Sequence, residues 1–227
     1  MKRSIITTSD GSTTIQIEEW NEQYHSIHGA VQEAQHVFIK MGLHHFMNLH
    51  KTDKLRILEM GFGTGLNAFV TAIEARDHSV NIQYEGVEAY PVFEDELSQL
   101  NYTTLIAPDQ QAIFDEMHAV SWEKLHSITA HFSLKKRQQF FSDLEDLSSF
   151  DLIYFDAFGA RVQPELWSIA IFKRMFKALK PSGVLVTYAA KGSVRRAMQA
   201  VGFEVERLEG PPGKREMLRA TKLPLVC

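Results

Sequence analysis

The sequence predicts an α/β fold, with a doubly wound parallel sheet over residues 51–227 and a small α+β appendage over residues 1–50 packed against it. Three observations carry that prediction. Apolar runs of strand length alternate with helix-period segments, a triplet of alternate glycines joins the first core strand to its helix, and carboxylates stand where three of the strands end.

The elements follow in order. Asp10-Gly11 marks a turn between short strands, the second being Thr13 to Ile17, and Ala30 to Leu49 has the spacing of a helix with Val31, Ala34, Phe38 and Met41 inward. Leu55 to Met60 is the first core strand, and Leu66 to Arg76 follows as a helix with Leu66, Phe69, Val70 and Ile73 on one face. Ile82 to Val87 is the second strand, trailed by helices at Val92 to Leu100 and Asp109 to Val120. His126 to Asp143 reads as a β segment with an excursion through Lys135 to Gln138 and a short final strand at Phe140-Phe141. Asp151 to Phe155 is strand four, Pro164 to Leu179 a helix, Gly183 to Tyr188 strand five and Ser193 to Val201 a short helix. Strands near Phe203 to Leu208 and Arg215 to Ala220 complete the pattern, with Pro211-Pro212-Gly213 as a turn between them.

Composition narrows the class. With 227 residues, 44% hydrophobic and 23% charged, the chain has ample apolar content for a packed core. No apolar run approaches the roughly 20 residues of a membrane span, and Met1-Lys2-Arg3-Ser4 leads into no apolar signal core, so a cytoplasmic protein without a membrane partner is expected. The single cysteine, Cys227, has no internal partner for a disulfide. The ten histidines show no His-x-x-x-His spacing and no cysteine cluster joins them, so no metal site is expected.

Net charge is −4, which argues against a uniformly basic nucleic-acid binder and against DNA as a partner. The distribution is uneven. From Lys191 to Lys222 eight Lys and Arg face four Glu, a local excess of +4, and Lys135-Lys136-Arg137 adds a second basic cluster.

The segment from Leu55 to Asn67 carries the chemistry: an apolar strand, the acidic Glu59, then Gly61-Phe62-Gly63-Thr64-Gly65-Leu66-Asn67 opening a helix. Glycines in such a turn permit a tight reversal and a close approach of backbone to ligand. A dinucleotide fingerprint wants its third glycine three residues after the second, where Leu66 stands, and a phosphate-binding loop needs Gly-Lys-Ser/Thr, which does not follow Gly65. The remaining pattern, Glu-x-Gly-x-Gly-x-Gly, resembles motif I of Rossmann-like S-adenosylmethionine-dependent methyltransferases. That cofactor is cationic at sulfur and carries no phosphate, so an acidic residue beside the turn suits it.

Glu88 closes strand two, 23 residues after Gly65, where a carboxylate accepts bonds from ribose hydroxyls. Asp143 is expected at the end of strand three to receive the adenine amine, and Asp156 ends strand four facing the reacting methyl.

Across nearly its whole length the chain resembles the methyltransferase half of the bifunctional family of tRNA 5-methylaminomethyl-2-thiouridine biosynthesis. The matching residues are Asp10-Gly11-Ser12, Tyr24, Glu33 to Phe38, Gly61 to Asn67, Asp156-x-Phe158, Pro164 to Trp167, Val194-Arg195-Arg196, Ala200 to Phe203 and Lys214 to Met217, in family order. One motif departs: the family's Asp-Gly-Phe-Ala-Pro stands here as Asp156-Ala157-Phe158-Gly159-Ala160.

The resemblance implies N-methylation of the aminomethyl group of 5-aminomethyl-(2-thio)uridine at the tRNA wobble position. S-adenosylmethionine is the implied cofactor, with no FAD domain in this chain, and the tRNA anticodon loop is the implied partner, its base supplied by upstream wobble-uridine modification enzymes. Asp156 is the expected catalytic group. Glu59, Gly61, Phe62, Gly63, Thr64, Gly65, Asn67, Glu88, Asp143 and Phe158 are expected at the cofactor. Tyr24, Arg195, Arg196, Lys214 and Arg215 are expected on the tRNA side, Tyr24 by stacking and the cations through phosphates. A methyltransferase of the same fold acting on a small amine is the alternative, since it keeps the glycine turn and Glu88 but needs no basic face.

Overall fold

Period-two burial shared between two core faces builds the central sheet. The computed structural model describes residues 2–224, so Cys227 lies outside the described residues. Strand β1 (Arg3–Thr7), β2 (Thr13–Ile17) and β3 (Glu22–Gln23) form a separate antiparallel sheet in that order. A long helix, α1, runs over residues 30–50 and widens to π-helical turns across Gln35–His44. The core then alternates: β4 (Lys54–Met60), α2 (Leu66–Asp77), β5 (Asn81–Val87), the short helices α3 (Glu94–Leu97) and α4 (Tyr102–Ile106), and α5 (Gln111–Ala119). After these come β6 (Leu125–Ser127), β7 (Phe132–Arg137), β8 (Phe150–Phe155), α6 (Ile169–Ala178), β9 (Leu179–Thr187), α7 (Gly192–Ala200), β10 (Glu204–Glu209) and β11 (Glu216–Thr221).

The eight strands lie in the order β10-β11-β9-β8-β4-β5-β7-β6. Pairs from β9 through β8, β4 and β5 to β7 are parallel, whereas β6, β10 and β11 pair antiparallel at the two edges. The chain adds β5 and β7 on one side of β4 and β8 and β9 on the other, so the strand order switches between β4 and β8. Their carboxyl ends therefore open a crevice, the place where doubly wound sheets hold ligands.

Alternation on β4 sends Ile57 to one face and Leu58 to the other. Ile57 joins Phe38 of α1 and Phe69 of α2, while Leu58 joins Phe172 of α6 and Met198 of α7. Each large side chain buried in this way contributes roughly 1.5–3 kcal/mol. The helix of residues 30–50 is thus part of the core sandwich, and the small sheet is the portion that stands apart from it.

Five expected segments differ in outcome. Lys135, Lys136 and Arg137 belong to β7 and are no excursion: Lys136 is buried, donates to the His118 carbonyl at 2.6 Å and lies 5.2 Å from the Trp122 ring centre. Arg137 pairs with Glu85 and Asp146, so that basic cluster is largely consumed within the fold. Phe141–Asp143 is a 3-10 turn, not the end of a strand, which puts Asp143 on an exposed turn six residues beyond β7. The expected helix over Val92 to Leu100 shrinks to the single turn of α3, started by Glu96 accepting the Phe93 N–H at 3.1 Å. The expected helix from Pro164 breaks at Ser168, whose extended backbone and Oγ cap α6, and the strand after it begins at Leu179, before Gly183.

Gly86, in β5, lies beneath the residue that follows the first glycine of the turn. A Cβ there would overlap the Phe62 ring. Gly86→Ala is expected to lower stability by roughly 1–3 kcal/mol through overpacking, read from the urea midpoint; an unchanged midpoint would contradict this packing.

Candidate active site

All three glycines of the turn take positive φ: +100° at Gly61, +48° at Gly63 and +74° at Gly65. Gly61 is the most constrained, because a Cβ there would stand 2.5 Å from the Asp156 carbonyl oxygen, so the glycine lets the ends of β4 and β8 close on each other. The N–H groups of the turn face inward. Gly61 and Phe62 both donate to the Val87 carbonyl at 3.0 Å, Gly65 donates to the Phe62 carbonyl at 2.9 Å, and Gly63 donates to Glu88 Oε2 at 3.0 Å. These four N–H groups are thereby occupied within the fold and are not offered to a phosphate.

Acidic groups line the crevice instead. Asn67, on the first turn of α2, donates its amide Nδ2 to Glu59 Oε1 at 2.9 Å and to Asp156 Oδ2 at 2.8 Å. Its Oδ1 is buried without a hydrogen-bond partner. Burial, and then the Asp156 charge, push Glu59 well above the ordinary carboxylate range, with the Asn67 hydrogen bond opposing. Glu88 accepts the Tyr90 N–H at 2.9 Å as well as that of Gly63, and burial raises its pKa against those bonds. Asp156 is half-buried and pushed up to about 7, first by loss of water and then by the charge of Glu33, with Asn67 and Lys214 opposing.

The appendage supplies the other wall. Tyr24 packs its ring against Gly63 and meets Phe158 edge to face at 4.9 Å, and Trp20 reaches Phe158 at 5.7 Å. Arg161, after β8, holds this arrangement by donating to the Trp20 and Asn21 carbonyls and to Glu22. Glu33 of α1 accepts from the Ser26 N–H and from Lys214, whose ammonium lies 3.8 Å from the Tyr188 ring centre. Tyr188 in turn donates to the Ala157 carbonyl at 2.8 Å.

Placement of the expected site residues divides them. Glu59, Asn67, Asp156, Gly61, Gly63, Glu88, Tyr24 and Phe158 converge on the crevice. The side chains of Phe62 and Thr64 turn elsewhere: Phe62 toward Gly86, His118 and Trp122, and Thr64 toward His25 at 2.7 Å and Tyr102 at 3.3 Å. Asp143 bonds locally to Ser142, but its turn comes near Glu88's through the exposed rings of Tyr90 and Phe140, 6.1 Å apart. Lys214 is a correction: it is paired with Glu33 inside the crevice and is not a free surface cation. Of the other cations in the basic C-terminal segment, Arg219 pairs with Glu206, Arg207 pairs with Glu216 and Lys222 donates to the Leu179 carbonyl. Lys191, Arg196 and Arg215 remain exposed, and Arg195 is half-buried. Glu33 and Tyr188 had no chemical assignment from the sequence, because their partners are distant in the chain.

Residues 111–223 match the family model described as S-adenosyl-L-methionine-dependent methyltransferase. The chain belongs to that methyltransferase family. Over 95% of its length it is 30% identical to the tRNA 5-methylaminomethyl-2-thiouridine biosynthesis bifunctional protein MnmC of Burkholderia thailandensis, and likewise to that of Burkholderia pseudomallei. In both cases the methyltransferase chain spans about a third of the relative, 34% of its length. In three dimensions it resembles MnmC2 from Aquifex aeolicus, with a TM-score of 0.77 and 23% identity over 98% of this chain and 71% of that one. Spermidine synthase from Thermotoga maritima shares the fold at a TM-score of 0.59 and 14% identity, over 97% of this chain and 68% of that one.

The crevice fits the cofactor of this family. Closed N–H groups and acidic walls disfavour a diphosphate and suit a cationic sulfonium, and Glu88 presents carboxylate lone pairs at a strand end for hydroxyl donors.

The folded pKa of Asp156 lies above its ordinary 3.8. The protonated acid is therefore favoured in the native state, and stability falls as pH rises from about 4 through about 7. Carboxyl 13C NMR of aspartate-labelled protein, assigned with Asp156→Asn, is expected to show a midpoint near 7. Lys214→Met should raise that midpoint and Glu33→Gln should lower it. A midpoint near 4, or shifts of opposite sign, would contradict this electrostatic arrangement.

Proposed function

We propose that this methyltransferase N-methylates the aminomethyl group of 5-aminomethyl-(2-thio)uridine at the wobble position of tRNA. The observation that carries the reading is a carboxylate of raised pKa, Asp156, at the open end of a sulfonium-compatible crevice. The likeness to a third of MnmC over 95% of this chain supports tRNA over a small amine as the acceptor. When bound, S-adenosylmethionine supplies a methyl carbon activated by its sulfonium toward a nitrogen lone pair.

The chain's residues answer the demands of such a reaction. An alkylamine enters as ammonium and is inert until it loses a proton. Carrying that cation into a site poor in water is costly, so proton transfer to ionised Asp156 Oδ gives a neutral pair where an ion pair would otherwise be buried. Asn67 fixes the receiving carboxylate by its 2.8 Å bond to Oδ2, which orients the amine and limits the geometries available to it. Tyr24 and Phe158 offer ring faces and edges at the mouth for an unstacked uracil, the element of RNA that proteins read most readily. Exposed Lys191, Arg196 and Arg215 supply phosphate contacts. Glu88 and Asp143 take the ribose and adenine of the cofactor, with Tyr90 and Phe140 flanking them.

Two further expectations belong to this reading. The aminomethyl group must be installed by enzymes acting earlier on the same uridine, and the protein works where tRNA is, in the cytoplasm. Among the described residues no helix is long and apolar enough to cross a membrane.

The decisive assay supplies S-adenosylmethionine and tRNA from cells lacking this methylation, followed by nucleoside mass spectrometry. Conversion of 5-aminomethyl to 5-methylaminomethyl uridines is expected, with kcat/KM rising through pH 7 as Asp156 ionises and falling about 100-fold or more in Asp156→Asn. Arg196→Ala and Arg215→Ala should each weaken tRNA binding and reduce its salt slope by about one. Methylation of a free polyamine with none of tRNA would overturn the proposal.

A further inference from the structure

Where the C-terminal half of α1 crosses the end of α2, His44, Glu74 and His78 converge on one point. His44 Nε2 lies 2.6 Å from Glu74 Oε2, and His78 Nε2 lies 3.3 Å from the same oxygen. All three potential ligand atoms fall within 4.8 Å of one another, and the two imidazoles meet edge to face with centroids 5.5 Å apart. Ligands on a tetrahedral cation with bonds near 2.1 Å stand about 3.4 Å from each other, so this cluster needs only small side-chain adjustments to close on an ion.

We propose that His44, Glu74 and His78 form a three-ligand site for a borderline divalent cation, Zn2+ foremost. Two imidazole nitrogens with one carboxylate oxygen are the donors such ions select, whereas Mg2+ and Ca2+ ask for shells built of oxygen. Side-chain exposure rises from 18% at Glu74 through 37% at His44 to 52% at His78, which leaves the outer coordination position to water. This proposal departs from the expectation, drawn from histidine spacing along the chain, that no metal is held. Glu74 and His78 are one helical turn apart, but the third ligand comes from another helix 30 residues earlier, a spacing no local motif records.

The bound cation clamps two helices that both reach the crevice. The α1 helix carries Glu33 at its other end, and α2 starts at the glycine turn and carries Asn67. Its action is on rigidity and stability, since the ligands are separate from Asp156 and its partners.

Calorimetric titration of the tag-free full chain with zinc chloride tests the site, with magnesium chloride run in parallel. One equivalent of zinc and no magnesium is expected. Zinc should also raise the thermal midpoint of the wild type. Affinity should fall about tenfold or more in His78→Ala and in His44→Ala, with loss of the thermal shift, while His126→Ala, at the far sheet edge, keeps both. His78 is half-exposed at a helix end, so its variant remains a test even where His44→Ala fails to fold. No zinc binding by the wild type, or equal binding and thermal shift in His78→Ala, would overturn the proposal.

Discussion

The side-chain amide of Asn67 donates both of its hydrogens to carboxylates, one to Glu59 and one to Asp156, and the functional crevice depends on that bridge. It ties the end of β4, the end of β8 and the first turn of α2 to a common point. Two acids so close cannot both ionise in a site poor in water. Burial pushes Glu59, the deeper, well above the ordinary carboxylate range, and Asp156, nearer the opening, up to about 7. The buried amide therefore fixes the position of Asp156, while burial raises its pKa against that bond.

The second constraint comes from outside the sheet. A parallel sheet opens its crevice at the β4/β8 switch in strand order, but the wall opposite is built by the first 34 residues. Tyr24 lies on Gly63, Glu33 reaches toward Asp156 and draws in Lys214 from the turn between β10 and β11, and Arg161 binds the small sheet to the loop after β8. The charges of Glu33 and Lys214 act on Asp156 with opposite sign, so the appendage and the C-terminal turn jointly tune the pKa set by burial.

Much of this was legible in the sequence where the chemistry is local. Glu59, the glycine turn and Asn67 lie within nine residues, and Glu88 and Asp156 each close an apolar strand, so strand-end position alone placed them together. Asp143 was misplaced because two aromatic residues looked like a strand, whereas the chain leaves the sheet at Arg137 and coils through a 3-10 turn. The basic C-terminal run was counted as surface charge. Half of its eight cations are engaged within the fold, through partners such as Glu33, 181 residues away from Lys214, which no count of local charge reveals. Helix boundaries at Ser168 and Glu94 depend on capping bonds that periodicity does not encode.

The central claim is that a glycine turn whose Gly61, Phe62, Gly63 and Gly65 N–H groups are occupied within the fold, with acids on its walls, selects a sulfonium cofactor over a phosphate-bearing one. Equilibrium calorimetry of the wild type and Glu88→Gln with S-adenosylmethionine and with NAD+ tests it most directly. S-adenosylmethionine should bind the wild type, lose about tenfold or more in affinity in Glu88→Gln through removal of a charged hydrogen-bond acceptor, and NAD+ should bind neither. Binding of NAD+ in place of S-adenosylmethionine, or equal S-adenosylmethionine affinity in both proteins, would contradict it.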